Sequence, residues 1–114
     1  RVAVVTAAPI ERGDVHLIDT GPAVGNEMRK MRPCLVVSPD ELNAHLRTLI
    51  VVPLTTGSHP YPFRVACRFR GKRAHVVLDQ VRAIDRARLV RRLGRLPEPV
   101  VSRCLNLLQA MFAP

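Results

Sequence analysis

The chain has 114 residues, of which 47% are hydrophobic and 24% charged, and its formal net charge at pH 7 is +9. This length and this balance are typical of one globular domain and exclude a disordered chain. No stretch approaches the ~20 apolar residues of a membrane span, and three cysteines without a C-x-x-C pair fit a reducing cytoplasm better than a disulfide or zinc framework.

The first third of the chain predicts two strands joined by a polar loop. Residues 1–10 are interpreted as a tail or an edge strand that precedes a single domain over residues 11–114. A first strand is expected over residues 13–19, because turn residues close it. An irregular polar loop follows over residues 21–31, and a continuous apolar run over residues 33–38 predicts a strand that is buried on both faces.

The middle of the chain predicts a series of short elements. One helical turn is expected over residues 40–44, with Asp40 as its N-cap. The β-branched run over residues 49–52 predicts another buried strand, which leads into Thr55 and Thr56. A glycine turn at Gly71 predicts a hairpin. The further strands are expected over residues 62–67, 74–78, 81–85 and 89–96.

The last segment is the only convincing helix, expected over residues 98–112. Pro97 suits its entry, and the charge of Glu98 complements the positive end of the helix dipole. Apolar side chains then recur at spacings of three and four, which predicts a core or dimer contact. They are Val101, Cys104, Leu105, Leu108, Met111 and Phe112. Short strands followed by one helix predict a mainly β fold with a small, strongly bent sheet or barrel.

The positive charge is concentrated in one segment. Residues 64–103 hold twelve basic residues and three acidic ones, whereas residues 1–63 are neutral. Such a field attracts a polyanion, which can be nucleic acid, an anionic membrane or an acidic protein; the alternative is a solvated face that keeps the protein soluble. With four aromatic residues the chain cannot build a large stacking platform, so hydrogen bonds and phosphate contacts would carry most of any nucleic-acid recognition.

The chain lacks the motifs that hold a metal or a nucleotide cofactor, so the sequence predicts catalysis without either, if catalysis occurs. Two segments could carry chemistry. In the first, a polar loop ends at Arg32 just before a predicted buried strand, and Pro33 biases the backbone of Arg32 to an extended form. Two hydroxyls, of Thr55 and Thr56, lie at the end of another buried strand. A solvated arginine and an ordinary turn are the alternatives.

Several short motifs follow one another along residues 11–112. They are Arg12-Gly13-Asp14-Val15, Gly25-Asn26-Glu27, Arg32-Pro33, Val36-Val37-Ser38-Pro39, Val52-Pro53-Leu54-Thr55-Thr56, Tyr61-Pro62-Phe63, Leu78-Asp79-Gln80-Val81-Arg82, Ile84-Asp85 and Leu93-Gly94-Arg95-Leu96. In this order they resemble the MazF/PemK family of toxin endoribonucleases. The resemblance implies an SH3-like or CcdB-like barrel of about six to seven strands with a C-terminal helix, as a cytoplasmic homodimer.

The resemblance also implies the activity. The expected reaction is metal-independent, sequence-specific cleavage of single-stranded RNA, with messenger RNA as the expected target. Attack by a ribose 2′-hydroxyl would leave a 2′,3′-cyclic phosphate and a 5′-hydroxyl, and the cleavage would inhibit translation and growth. No cofactor is expected. The implied partner is a MazE-like antitoxin of a type II toxin–antitoxin system, whose acidic, partly disordered tail would occupy the RNA groove.

The resemblance assigns catalytic roles to two residues. Arg32 matches the donor that stabilises the scissile phosphate, and Thr55 matches the catalytic threonine. The candidate general base is Glu27, because it is a carboxylate in the same loop; its alternative is an ion pair with a neighbouring cation. Met31 stands where some relatives have histidine. RNA contacts are expected from Asn26, Arg29, Lys30, Thr56, Asp79, Gln80 and Arg82.

Two other functions remain open from the sequence. The first is a non-enzymatic poison of DNA gyrase on the same CcdB-like barrel, in which the end of the C-terminal helix carries the gyrase contact. This chain ends instead in apolar Met111-Phe112-Ala113-Pro114. The second is a barrel that binds nucleic acid without cutting it, whose binding would depend steeply on salt and yield no product.

Overall fold

Seven strands and two helices make up the residues that the computed structural model describes, 9–21, 30–56 and 61–114. The strands are β1 (Asp14–Asp19), β2 (Met31–Val36), β3 (Thr48–Thr55), β4 (Arg64–Phe69), β5 (Lys72–Val77), β6 (Arg82–Asp85) and β7 (Leu89–Arg95); the helices are α1 (Asp40–His45) and α2 (Glu98–Phe112). Single 3₁₀ turns cover Leu78–Gln80 and Arg86–Arg88. Residues 1–8 of the expected tail and 22–29 of the polar loop lie outside the described residues.

The strands form one antiparallel sheet in the order β4-β5-β3-β2-β1-β7, and β6 pairs with β3 beside β5. The sheet curls into a half-barrel, and α2 packs against β4 and the first 3₁₀ turn. The mainly β fold with a C-terminal helix is therefore confirmed. β3 is the strand on which the sheet is centred, because it pairs with β2 on one side and with both β5 and β6 on the other.

The hairpin around Gly71 is confirmed as the pair β4–β5. Its two turn residues, Arg70 and Gly71, have φ angles of 53° and 78°. Positive φ at both positions is the mark of the tight turn that matches the twist of two antiparallel strands. Arg68 and Arg73 face each other directly across this hairpin, and both are exposed.

Two local predictions were wrong. β2 begins at Met31, two residues before the expected start, so Arg32 lies within the strand and pairs with Ile18 of β1. Asp40 does not cap α1: the N-cap position belongs to Pro39, and no side chain caps the helix. The Asp40 carboxylate instead accepts a hydrogen bond of 2.7 Å from the backbone N–H of Arg12. A carboxylate in the first turn can serve a neighbouring segment and still face the positive end of the helix.

The sheet carries a hydrophobic core on each face. The larger core includes Leu35 and Val52, and α2 adds Val101 and Cys104 to it. Other members of the predicted α2 stripe are partly buried against this core, whereas Phe112 is 71% exposed. The smaller core lies on the opposite face and consists of Ile18, Cys34, Val36, Leu49, Val51 and Ile84.

A buried carboxylate ties the first strand to the last. Asp14 of β1 is 1% exposed, and it accepts hydrogen bonds of 2.9 Å from the Glu11 N–H, 2.8 Å from Arg95 and 3.3 Å from Arg92. Charge-assisted hydrogen bonds of this kind offset the cost of burying a carboxylate. His16 lies two residues further along β1 and is 7% exposed, and among the described residues neither of its ring nitrogens has a hydrogen-bond partner.

We expect His16 to make folding stability depend on pH. Burial lowers the pKa of this imidazole, an effect that the Asp14 charge opposes and the Arg92 charge reinforces. Below the ordinary histidine value of about 6.5, the unfolded chain binds a proton that the folded chain rejects. The free energy of unfolding should therefore fall between pH 7.5 and pH 5, as measured by urea denaturation.

The matched variants are His16→Gln and His45→Gln, since His45 is exposed at the end of α1. The first should lose part of the stability difference between the two pH values, and the second should keep the wild-type difference. An unchanged difference in His16→Gln would contradict the assignment.

Candidate functional site

The pairing of β2 with β3 brings Arg32 and Thr55 together. Cys34 lies opposite Pro53, and the same antiparallel register continued by two residues places Arg32 opposite Thr55. Because side chains alternate along a strand, these four residues share one face of the sheet. Both Arg32 and Thr55 are partly exposed, and both line one cavity of about 600 Å³.

This larger cavity has an apolar floor and a cationic rim. The apolar lining comes from Met31, Pro33, Leu54, Phe69, Ala74 and Leu93, and the polar lining from Lys30, Arg32, Thr55, Thr56, Arg70 and Lys72. Four of these lining residues are cationic, and none of the described ones is acidic. A cavity with this lining suits a ligand that combines a flat apolar group with negative charge.

A smaller cavity of about 150 Å³ adjoins the first, and Arg32 lines both. Its other polar lining residues include Gln80 and Arg82, and Cys34 lies in its wall. Burial raises the pKa of the Cys34 thiol to about 11, and the charges of Arg32 and Arg82 oppose this rise. Two guanidinium groups therefore act on the same sulfur atom, which places both positive charges around this small cavity.

Several arginines form ion pairs with carboxylates, and the two arginines of the smaller cavity are not among those that do so within the described residues. Carboxylates pair with Arg47, Arg64, Arg92 and Arg95. Arg32 and Arg82 form no ion pair with any carboxylate within the described ranges. A guanidinium on a rigid strand presents paired N–H donors whose geometry matches the oxygens of a phosphate. The site is therefore an anion site whose positive charge is not neutralised by the described part of the chain.

A family model of PemK-like, MazF-like toxins of type II toxin–antitoxin systems matches residues 11–112, nearly the whole chain. The chain belongs to this family. It is 35% identical over 109 residues to the endoribonuclease PemK of Escherichia coli, an alignment that covers 90% of this chain and 82% of PemK. The resemblance to the MazF/PemK toxins is thus confirmed.

Solved structures of this family have the same fold. A MazE–MazF structure from Deinococcus radiodurans superposes with a TM-score of 0.80 at 26% identity, covering 92% of this chain and 96% of that one. A mycobacterial endoribonuclease in complex with its cognate antitoxin superposes with a TM-score of 0.76 at 25% identity, covering 92% and 97%. The MazF fold therefore extends over nearly the full length of this chain.

The structure places the other predicted site residues in three groups. Lys30 and Thr56 line the larger cavity, and Gln80 and Arg82 line the smaller one. Asp79 lines neither; its carboxylate accepts a hydrogen bond of 3.3 Å from Arg64. The remaining predictions, on Asn26, Glu27 and Arg29, lie outside the described residues.

Sequence reasoning missed Phe69, Arg70 and His75. The first two line the larger cavity from the β4–β5 hairpin, and His75 of β5 lies directly opposite Thr55. Alternation within the predicted hairpin could have grouped His75 with the residues on one face of β5. No signal in the sequence indicates which strand β5 pairs with, so the neighbourhood of Thr55 could not be derived.

The described residues contain neither a candidate metal site nor a helix that could span a membrane. Within residues 9–21, 30–56 and 61–114, no three His, Cys, Asp or Glu side chains converge in a way that could hold a metal ion. The helices of the same segments are too short or too polar to cross a membrane.

We expect the cysteines to resist alkylation while the chain is folded. Burial raises the pKa of Cys67, and it raises the pKa of Cys34 to about 11 and that of Cys104 to about 12. Since the thiolate is the reactive form, only about a thousandth of Cys34 is reactive at pH 8. Iodoacetamide followed by peptide mass spectrometry should label Cys34 and Cys104 slowly in buffer and rapidly in urea. Rapid labelling of Cys34 in buffer would contradict the burial of its thiol in the wall of the smaller cavity.

Proposed function

We propose that this toxin cuts single-stranded RNA, with messenger RNA in the cytoplasm as its target, and that it needs no metal or other cofactor. The observation that carries the proposal is the Arg32 guanidinium, which forms no ion pair within residues 9–21, 30–56 and 61–114 and lines one cavity together with Thr55. Membership of a toxin family whose relative PemK is named an endoribonuclease supports the same reaction class.

The proposed chemistry uses the substrate's own nucleophile. A ribose 2′-hydroxyl loses its proton and attacks the adjacent 3′-phosphate, so an O2′–P bond forms, the P–O5′ bond breaks, and the departing O5′ takes up a proton from water. The products are a 2′,3′-cyclic phosphate and a 5′-hydroxyl. Negative charge grows on the non-bridging oxygens during this step, and Arg32 can bind two of them through its parallel N–H groups. A guanidinium in this position supplies the charge stabilisation that a metal ion supplies in other nucleases.

The hydroxyl of Thr55 and the carboxylate of Glu27 would complete the site. Thr55 lies at the end of β3 beside Arg32, within reach of the same phosphate or of its nucleophile. Glu27 would take the proton of the 2′-hydroxyl, since Arg32 is too weak a base for this role. This assignment rests on Glu27 being a carboxylate in the same polar loop of the sequence as Arg32.

RNA would extend from the scissile phosphate into both cavities. Lys30 and Thr56 would contact it in the larger cavity, and Gln80 and Arg82 in the smaller one. Asp79 would contact a base or a ribose beside Gln80, provided that its exposed ion pair with Arg64 opens. Exposed pairs of this kind contribute little to stability, so opening it costs little free energy. The proposed RNA contacts outside the described residues are Asn26 and Arg29.

Two protein partners are proposed. The first is an acidic MazE-like antitoxin, since a mycobacterial relative at 25% identity is described in complex with its cognate antitoxin. An acidic segment suits the cationic rim of the larger cavity and would compete there with RNA. The second partner is another copy of this chain, which the resemblance to the MazF/PemK family implies.

The first test is cleavage of a long RNA by the purified protein in excess EDTA, followed by sequencing of the new 5′ ends. Arg32→Ala should lower the cleavage rate about a thousandfold, and Arg32→Lys should recover little because an ammonium cannot bind two oxygens at once. Thr55→Ala should lower it about a hundredfold. The matched control is Arg91→Ala, an exposed arginine on β7 that lines neither cavity.

An oligonucleotide with deoxyribose at the cut site should resist cleavage, because it lacks the attacking hydroxyl. Full activity of Arg32→Ala, or cleavage of the deoxyribose substrate, would show that the reaction is of another kind.

The second test measures the phosphate contacts. Each phosphate that a cation neutralises on a single strand contributes about 0.7 to the slope of log affinity against log salt. Arg82→Gln should therefore reduce this slope by about 0.7, whereas Arg91→Gln should leave it unchanged. The probe is the uncleavable deoxyribose-containing RNA, titrated from low to moderate salt. A wild-type slope in Arg82→Gln would remove Arg82 from the binding site.

A further inference from the structure

His75 pairs across strands with Thr55, one of the two residues on which the proposed reaction depends. It lies on β5 directly opposite Thr55 of β3, and on its other side it faces Ala66 of β4. Directly opposed residues in an antiparallel sheet have Cβ atoms about 4.5–5.5 Å apart, and their side chains lie on the same face. The imidazole is therefore a neighbour of the Thr55 hydroxyl, on the face that carries Arg32.

Both side chains have unused hydrogen-bonding capacity. The Nδ1 atom of His75 is buried and has no hydrogen-bond partner in the described part of the chain, although the residue as a whole is partly exposed. The Thr55 hydroxyl donates a long hydrogen bond of 3.4 Å to the carbonyl of Thr56. A contact of this length is near the limit for a hydroxyl donor. A buried nitrogen without a partner costs free energy, so its retention beside this threonine calls for an explanation.

We propose that His75 is a positioning residue, whose neutral Nδ1 accepts a hydrogen bond from the Thr55 hydroxyl when RNA is bound. Rotation about the Cα–Cβ bond of Thr55 would exchange the long contact with Thr56 for this one. The inference rests on the proposed RNA cleavage and deepens it, since it states to which atom the Thr55 hydroxyl donates its hydrogen bond.

The consequence concerns which substrate atom Thr55 meets. If its proton points to His75, its oxygen is left to accept a hydrogen bond, which the attacking 2′-hydroxyl can donate in the bound substrate before its one proton passes to Glu27. The negatively charged phosphate oxygens are then bound by Arg32, which carries only donors. With Thr55 held by His75, Thr55 orients the nucleophile and Arg32 stabilises the charge.

The charged groups that surround His75 are mainly positive. The charged groups on this face are Arg73 on β5, Arg64 and Arg68 on β4, and Arg32 beyond Thr55. Apart from Asp79, which pairs with Arg64, the described residues add no carboxylate to this set. Nδ1 can accept a hydrogen bond only while it carries no proton, and the neutral imidazole is the form that the proposal uses.

The test uses three variants in single-turnover cleavage with saturating protein, from pH 5.5 to 8.5. His75→Val removes the acceptor and keeps a residue suited to a strand; it should cleave about tenfold more slowly at pH 8, the rate equivalent of one hydrogen bond. His75→Gln supplies an acceptor that does not titrate. It should therefore keep most of the cleavage rate, and its rate should fall less toward low pH than the wild-type rate does. His45→Gln, on exposed α1, is the control and should match the wild type.

Two further measurements separate this role from a structural one. The affinity for the deoxyribose-containing RNA and the melting temperature should be unchanged or higher in His75→Val, because the variant removes an unpaired buried nitrogen. In a Thr55→Val background, His75→Val should cause no further loss, since its effect passes through the hydroxyl that Thr55→Val removes.

The possible outcomes are distinct. A wild-type rate and pH profile in His75→Val, or independent losses in the double variant, would overturn the role of His75 and leave the proposed nuclease intact. A wild-type protein that leaves RNA uncut would overturn both.

Discussion

The candidate site depends on one strand that hydrogen-bonds to three others. β3 pairs with β2 along one side, and along the other side it pairs first with β6 and then with β5. These pairings set Arg32 and His75 on either side of Thr55, although the three residues are far apart in the chain. A slip of one residue in either pairing would turn a side chain to the opposite face of the sheet. The register of β3 is thus the constraint from which the geometry of the site follows.

The sequence predicted the class of fold better than the arrangement of the site. Alternating short strands and a helical stripe were sufficient to predict a bent sheet with a C-terminal helix, and the motifs identified Arg32 and Thr55 as candidates. They did not indicate that His75 faces Thr55, because strand pairing is decided by contacts between distant segments. The misassigned cap at Asp40 has a similar cause, since the group that its carboxylate binds belongs to Arg12.

Charge is the second property that the sequence disclosed only in part. Composition located the excess of positive charge in residues 64–103, but it could not separate paired arginines from unpaired ones. The pair between Asp14 and Arg95 joins residues 81 positions apart. Such pairs neutralise some of the arginines, and Arg32 and Arg82 are among those that remain as positive groups, on either side of the small cavity. Folding thereby decides which part of the positive charge faces the site.

Pro53 marks the point at which β3 changes partners. β6 is paired with β3 as far as Val51, and β5 begins its pairing at Leu54, so Pro53 faces Cys34 on one side and a break in the ladder on the other. A proline has no N–H to offer a further strand. It therefore favours the end of the β6 pairing at this point of β3. The gap between the β6 and β5 pairings lies beside the small cavity, which is lined by Arg32, Pro53 and Arg82.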